Sequence, residues 1–209
     1  MSEKTEIGRI KKVGISELDS KLIRLYEVPI VFFKSGIRAS LSDLYDQKIE
    51  VYYYQLNQWI EKVTEELGAI QFIFMEYITE TSEAAHAQVK KLLEKNEQLN
   101  EIVERLFEMS TSLEQTEDET LLMEYLAWMS DASGPDALEI DQEYVVELMK
   151  ERSACIIEKV LGKATVTDKS FLFITIDLAE VTNYPTDIQV IKFRPPVFDD
   201  ILKMLRNSR

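Results

Sequence analysis

A mainly helical α+β fold is predicted, in which a long antiparallel helical hairpin or bundle is joined to a small C-terminal β-hairpin and a terminal helix. Three observations predict it. Apolar residues from Leu44 to Leu67 recur at three- and four-residue steps. Leucine then returns every seventh residue at Leu92, Leu99, Leu106 and Leu113. The segments FLFITIDL (171–178) and DIQVIKF (187–193) are β-branched and aromatic and read as two strands.

Taken in order, residues 1–14 form a polar arm with a short strand expected over Gly8–Val13. Ser16 and Asp19 resemble a helix start, and Leu18, Leu22, Leu25 and Tyr26 follow at helical spacing. Pro29 ends that helix, because the residue before a proline is pushed out of the α region. Ile30–Phe33 reads as a short strand, closed by Ser35 and Gly36.

The helical body is expected from Ser40. Gly68 interrupts it, and two readings stand. Either Gly68 caps the helix and residues 69–78 form a strand, or the helix continues, kinked, through Ile70, Phe74, Tyr77 and Ile78. The second is favoured, since a mid-helix glycine costs only about 1 kcal/mol. A turn at Thr79–Ser82 then leads into the leucine-periodic helix of Ser82–Leu113.

In heptad terms the leucines at 92, 99, 106 and 113 occupy d, and Val89, Asn96, Val103 and Ser110 occupy a. Asn96 at an a position either fixes the register of a parallel dimer or faces solvent or a backbone group. Leu93, Ile102, Phe107 and Met109 widen the stripe beyond a two-helix seam, as in the core of a bundle. Glu94, Glu97, Glu101, Glu104 and Glu108 line the opposite face, either as an acidic ridge for a basic partner or as a solvated exterior.

Thr116 and Glu119 form a capping box that opens a helix through Met129. Ser133-Gly134-Pro135 marks an internal hinge, so three segments are delimited, 1–39, 40–133 and 134–209, within one domain that carries an extension. Asp141 caps a further helix ending at Gly162. After the two strands, Pro196 opens a final helix with Val197, Phe198, Ile201, Leu202 and Leu205 on one face.

Charge narrows the function. The net charge is −14, and residues 51–150 hold 22 acidic against 6 basic side chains. Such a surface repels phosphate backbones and anionic lipid and suits a basic protein partner. The N-terminal residues lack the apolar core of a signal peptide, and the run AIQFIFMEYI is ten residues long, too short to span a bilayer. With a single cysteine, Cys155, a cytoplasmic protein is expected.

Few catalytic groups are available. His86 is the one histidine, so the Glu83–His86 unit cannot complete a two-histidine carboxylate metal site. The six glycines form no phosphate-binding loop. Asp177, inside an apolar run, is expected to pair with Lys192 or Arg194. Tyr52, Tyr53 and Tyr54 point in three directions around a helix, and Tyr53 or Tyr54 is expected at the surface.

These readings favour a non-enzymatic interaction or assembly protein with no cofactor and no metal, binding another protein, basic in character, or itself. Its interface candidates are Val89, Leu92, Asn96, Leu99, Val103, Leu106, Leu113, Tyr53 and Tyr54. The alternative is a small-molecule or Mg-dependent nucleotide-binding enzyme, with a pocket between the helical body and the C-terminal sheet. A mimic of nucleic acid on a basic target is a third reading.

Overall fold

The computed structural model describes residues 23–30, 41–94, 96–109, 111–131, 142–164, 170–176, 178 and 182–207. Among them the chain runs β1 (Ile23–Pro29), α1 (Ser42–Leu67), β2 (Phe72–Met75), α2 (Ser82–Leu92), α3 (Glu97–Glu108), β3 (Ser112–Glu114), α4 (Glu119–Asp131), α5 (Gln142–Ala164), β4 (Ser170–Thr175), β5 (Ile188–Lys192) and α6 (Pro196–Asn207). The strands form one all-parallel sheet in the order β3-β2-β4-β1-β5. This is an α/β architecture. It replaces the expected α+β helical hairpin, helical bundle and coiled coil.

The sheet explains the apolar runs. A parallel strand is covered on both faces, so its sequence is continuously apolar and does not alternate. All six residues of β4 are buried. Tyr26, Val28, Ile73, Met75, Leu172 and Ile174 face one core, packed with residues of α1, α2, α3 and α6. Leu25, Phe74, Phe171, Phe173 and Ile188 face the other, beneath Ile156, Ile157 and Val160 of α5.

Several expectations are corrected by this packing. The helix predicted to reach Tyr26 gives way to β1 over residues 23–29, because adjacent Leu25 and Tyr26 point into opposite cores. The kinked helix through Gly68 ends there instead. Gly68 adopts φ +92°, outside the helical region, and donates its N–H to Thr64 O at 3.2 Å; β2 follows at residues 72–75. The C-terminal hairpin is also absent, since β4 and β5 are separated by β1, and both run parallel to it. β4 needs a neighbour on each side to pair its buried backbone, and β1 and β2 supply them.

The leucine period crosses three elements. Leu92 ends α2, Leu99 and Leu106 belong to α3, and Leu113 lies in β3. Asn96 breaks the helix by accepting the Leu99 N–H at 3.2 Å as the cap of α3. The capping box is displaced as well. Asp118 Oδ1 accepts the N–H groups of Thr120 (2.9 Å) and Leu121 (3.1 Å), while Thr116 Oγ1 accepts the Met75 N–H at 2.9 Å and ties β3 to β2. The strands expected at 8–13 and 31–33, the 133–135 hinge, and Ser110, Asp141 and Asp177 lie outside the described residues; Ile30 is described and follows β1.

Candidate functional site

Open α/β sheets usually bind ligands beyond the carboxyl ends of their strands, where successive connections leave to opposite faces. Here β2 leads to α2 on one face, while β3 beside it leads through α4 to α5 above the other face. That crevice is occupied by the chain's own side chains. Glu76 Oε1, just past β2, accepts the N–H groups of Ile176 (2.8 Å) and Leu178 (3.0 Å), just past β4. Glu117, just past β3, accepts from Arg152 Nη2 at 2.6 Å and from Nε at 3.2 Å. Glu76, Glu117 and Arg152 are all fully buried.

The guanidinium at the centre of this cluster also lies over the rings of Tyr125 (4.2 Å) and Tyr77 (5.4 Å). Burial acts to lower the Arg152 pKa, but hydrogen bonding and charge from Glu117, with Glu76 adding to them, raise it overall. Lys159 donates to Glu117 O at 2.8 Å, and its own pKa is lowered by burial. On the other side of the sheet end, Glu27 pairs with Lys192 at 3.0 Å and accepts the Tyr184 hydroxyl. Burial, then the Glu27 charge, raises the Tyr184 pKa.

Lys192 and Arg194 are thus engaged by Glu27 and Asp199. Cys155 is half-buried, and burial, with Asp118 and Glu158 adding to it, pushes its thiol up, away from the reactive thiolate. His86 is exposed and stacks on Phe107 with ring centroids 4.3 Å apart. Among the described residues no group of three or more His, Cys, Asp or Glu is placed to hold a metal ion, and no helix is long and apolar enough to cross a membrane.

An open groove of about 430 Å³ lies instead between α1 and α3, lined by Glu50, Tyr53, Tyr54, Asn57, Gln98, Glu101, Ile102 and Arg105. The helical turn decides what α1 contributes. Successive tyrosines are rotated about 100° from one another, so Tyr52 and Tyr53 enter the core and Tyr54 remains 63% exposed. Burial raises the Tyr53 pKa, and the Asn96 amide donates to its hydroxyl. Gln58 Nε2 donates to the Tyr54 hydroxyl at 2.8 Å, holding that ring against its own helix. Glu61 accepts from Asn57 and from Arg105, each at 3.0 Å, and so links the two walls at one end.

Of the sequence candidates, the groove brings together Tyr53, Tyr54 and Glu101. Val89, Leu99, Val103, Leu106 and Leu113 are buried in the core of the protomer, and Leu92 is half-buried against it. Asn96 caps α3 and holds Tyr53. Glu94, Glu97, Glu104 and Glu108 are exposed, as is Glu101. Glu50, Asn57, Gln98, Ile102 and Arg105 were not singled out as site residues. Their spacing places Glu50, Tyr54 and Asn57 on one strip of α1, and Gln98, Glu101 and Arg105 on one strip of α3. Only packing sets the strips opposite each other.

Compared with protein-family models, with curated proteins and with solved structures, the chain finds no match in any of the three.

Proposed function

We propose that this protein is a non-enzymatic, cytoplasmic interaction protein that takes a basic segment of a partner protein into the groove between α1 and α3. The observation that carries this reading is Tyr54, an aromatic side chain left 63% exposed beside a groove with carboxylates on both walls. A guanidinium or ammonium entering there meets Glu50 from α1, Glu101 from α3 and an aromatic ring, a combination that favours cations through charge-assisted hydrogen bonds and ring-face attraction. Arg105, the basic residue of the lining, is already bound to Glu61. The acidic middle of the chain steers basic partners and disfavours nucleic acid. A small-molecule or nucleotide ligand at the strand ends gains no support, because Glu76, Glu117 and Arg152 fill that crevice.

The test is calorimetric titration with a tri-arginine peptide. Binding that weakens with salt, and about fivefold or more in Tyr54→Ala and Glu101→Gln, is the expected result. Equal affinity in the wild type and both variants would reject the groove, and a concentration-dependent rise in mass without peptide would redirect it to self-association.

A further inference from the structure

We infer that the outward face of α4 is a second docking surface, fitted to an amphipathic helix with lysine or arginine flanking its apolar stripe, supplied by another protein. A surface helix normally has one apolar face. α4, ETLLMEYLAWMSD, has two. Leu122 and Tyr125 turn inward and are buried, whereas Met123 is 60% exposed, Leu126 is 40% exposed, and Ala127 beside them is exposed. Methionine and leucine presented together on a rigid helix form a surface that adapts to apolar partners.

The surrounding charge selects the occupant. α4 carries no lysine or arginine, and its first turn and inner edge hold Glu119 and Glu124. α5, which abuts α4 through the Trp128–Tyr144 ring contact at 5.1 Å, adds exposed Glu143, Glu147 and Glu151 at its start, of which Glu147 is paired with Lys150 at 3.1 Å. A second copy meeting this surface face to face would bring the same carboxylates against one another, and anionic lipid would be repelled in the same way. A helix with basic flanks satisfies both the apolar stripe and the acidic rim. Because α5 covers the sheet face opposite α1 and α3, this surface is separate from the groove, and both can be occupied at once.

The experiment titrates the chain carrying Tyr54→Ala and Glu101→Gln, which disable the groove, with a designed amphipathic leucine–lysine helical peptide and with a scrambled peptide of the same composition, at low and high salt; the α4 variants are made in that background. Saturable binding of the amphipathic peptide, about tenfold weaker in Met123→Glu and in Leu126→Glu, is expected. An added carboxylate can only strengthen attraction to lysine, so that loss reports the apolar contact. Met123→Leu in the same Tyr54→Ala, Glu101→Gln background should bind like its parent, so that the loss in the glutamate variants is read at this surface and not at the groove. Equal binding of the scrambled peptide, or undiminished binding by both glutamate variants with native circular dichroism, overturns the assignment. Binding to anionic vesicles that is lost in Met123→Glu would reassign the surface to a membrane.

Discussion

Arg152 Nη2 lies 2.6 Å from Glu117 Oε1, with both side chains fully buried, and the pair fastens the middle of α5 to the end of β3. Glu76 stands 3.9 Å from the same guanidinium and is itself bound to the backbone after β4. One cation therefore organises the carboxyl ends of three strands. Replacing Arg152 by leucine would leave two buried carboxylates without their counter-charge, and a loss of about 3–5 kcal/mol is expected. Urea denaturation followed by circular dichroism measures it. A loss below about 1 kcal/mol would mean that the cluster relaxes into water and does not hold the sheet edge.

Leu99 is 1% exposed within the core that α3 shares with α1 and the sheet. Leu99→Ala is expected to cost about 2–5 kcal/mol, and Leu99→Glu to unfold the protomer. A Leu99→Glu chain that keeps its melting temperature but changes its mass in solution would place this leucine between chains instead. Asn96→Ala, which removes the α3 cap, is expected to cost about 1 kcal/mol in the same assay.

Gly68 sits at φ +92° and ψ 172°, and a Cβ added there would meet nothing within 4 Å. The cost of Gly68→Ala is thus backbone strain without a clash, about 1–3 kcal/mol. Thermal denaturation would show it. An unchanged melting temperature would indicate that the link from α1 to β2 accepts an ordinary backbone conformation.

Alkaline pH should weaken the fold through the α1 tyrosines. Tyr45 is pushed up from 10.0 to about 12, by burial first and then by the charge of Asp46. Burial, with Tyr45 adding to it for Tyr53 and Tyr53 adding to it for Tyr52, raises those two as well. A folded-state pKa above the unfolded value means stability that is whole below pH 10 and is lost as pH rises through about 12. Melting temperature as a function of pH, alongside tyrosinate absorbance, checks this. Tyrosine ionisation completed near pH 10 with no loss of stability would contradict the burial of these hydroxyls.

Much of the helical structure was legible in the residues. The apolar spacing of Leu44–Leu67 announces α1, and the patterns near Leu121–Met129 and Tyr144–Leu161 announce α4 and α5. Pro196 opens α6 at the position where a missing N–H costs nothing. The strands were harder to read. β2 has four residues and β3 has three, too few to display a period, and β1 places a leucine and a tyrosine side by side because both of its faces are covered. The heptad of leucines misled because the seven-residue interval survives a helix break. A cap at Asn96 and a strand at Leu113 preserve the count while changing the direction in which each side chain points.

For the groove, rotation about a helix was enough to foresee that one of three adjacent tyrosines stays outside, and charge was enough to foresee an acidic exterior. By itself the sequence determined the helices of α1, α4, α5 and α6 and the concentration of negative charge in the middle of the chain, because propensity, periodicity and charge are local or additive properties. The tertiary structure alone decided that the strands pair in parallel in the order β3-β2-β4-β1-β5, that Arg152 meets Glu76 and Glu117, and that Tyr54 and Glu101 line one groove. Those relationships join residues far apart in the chain. They arise only when burial of both sheet faces selects one packing of the whole.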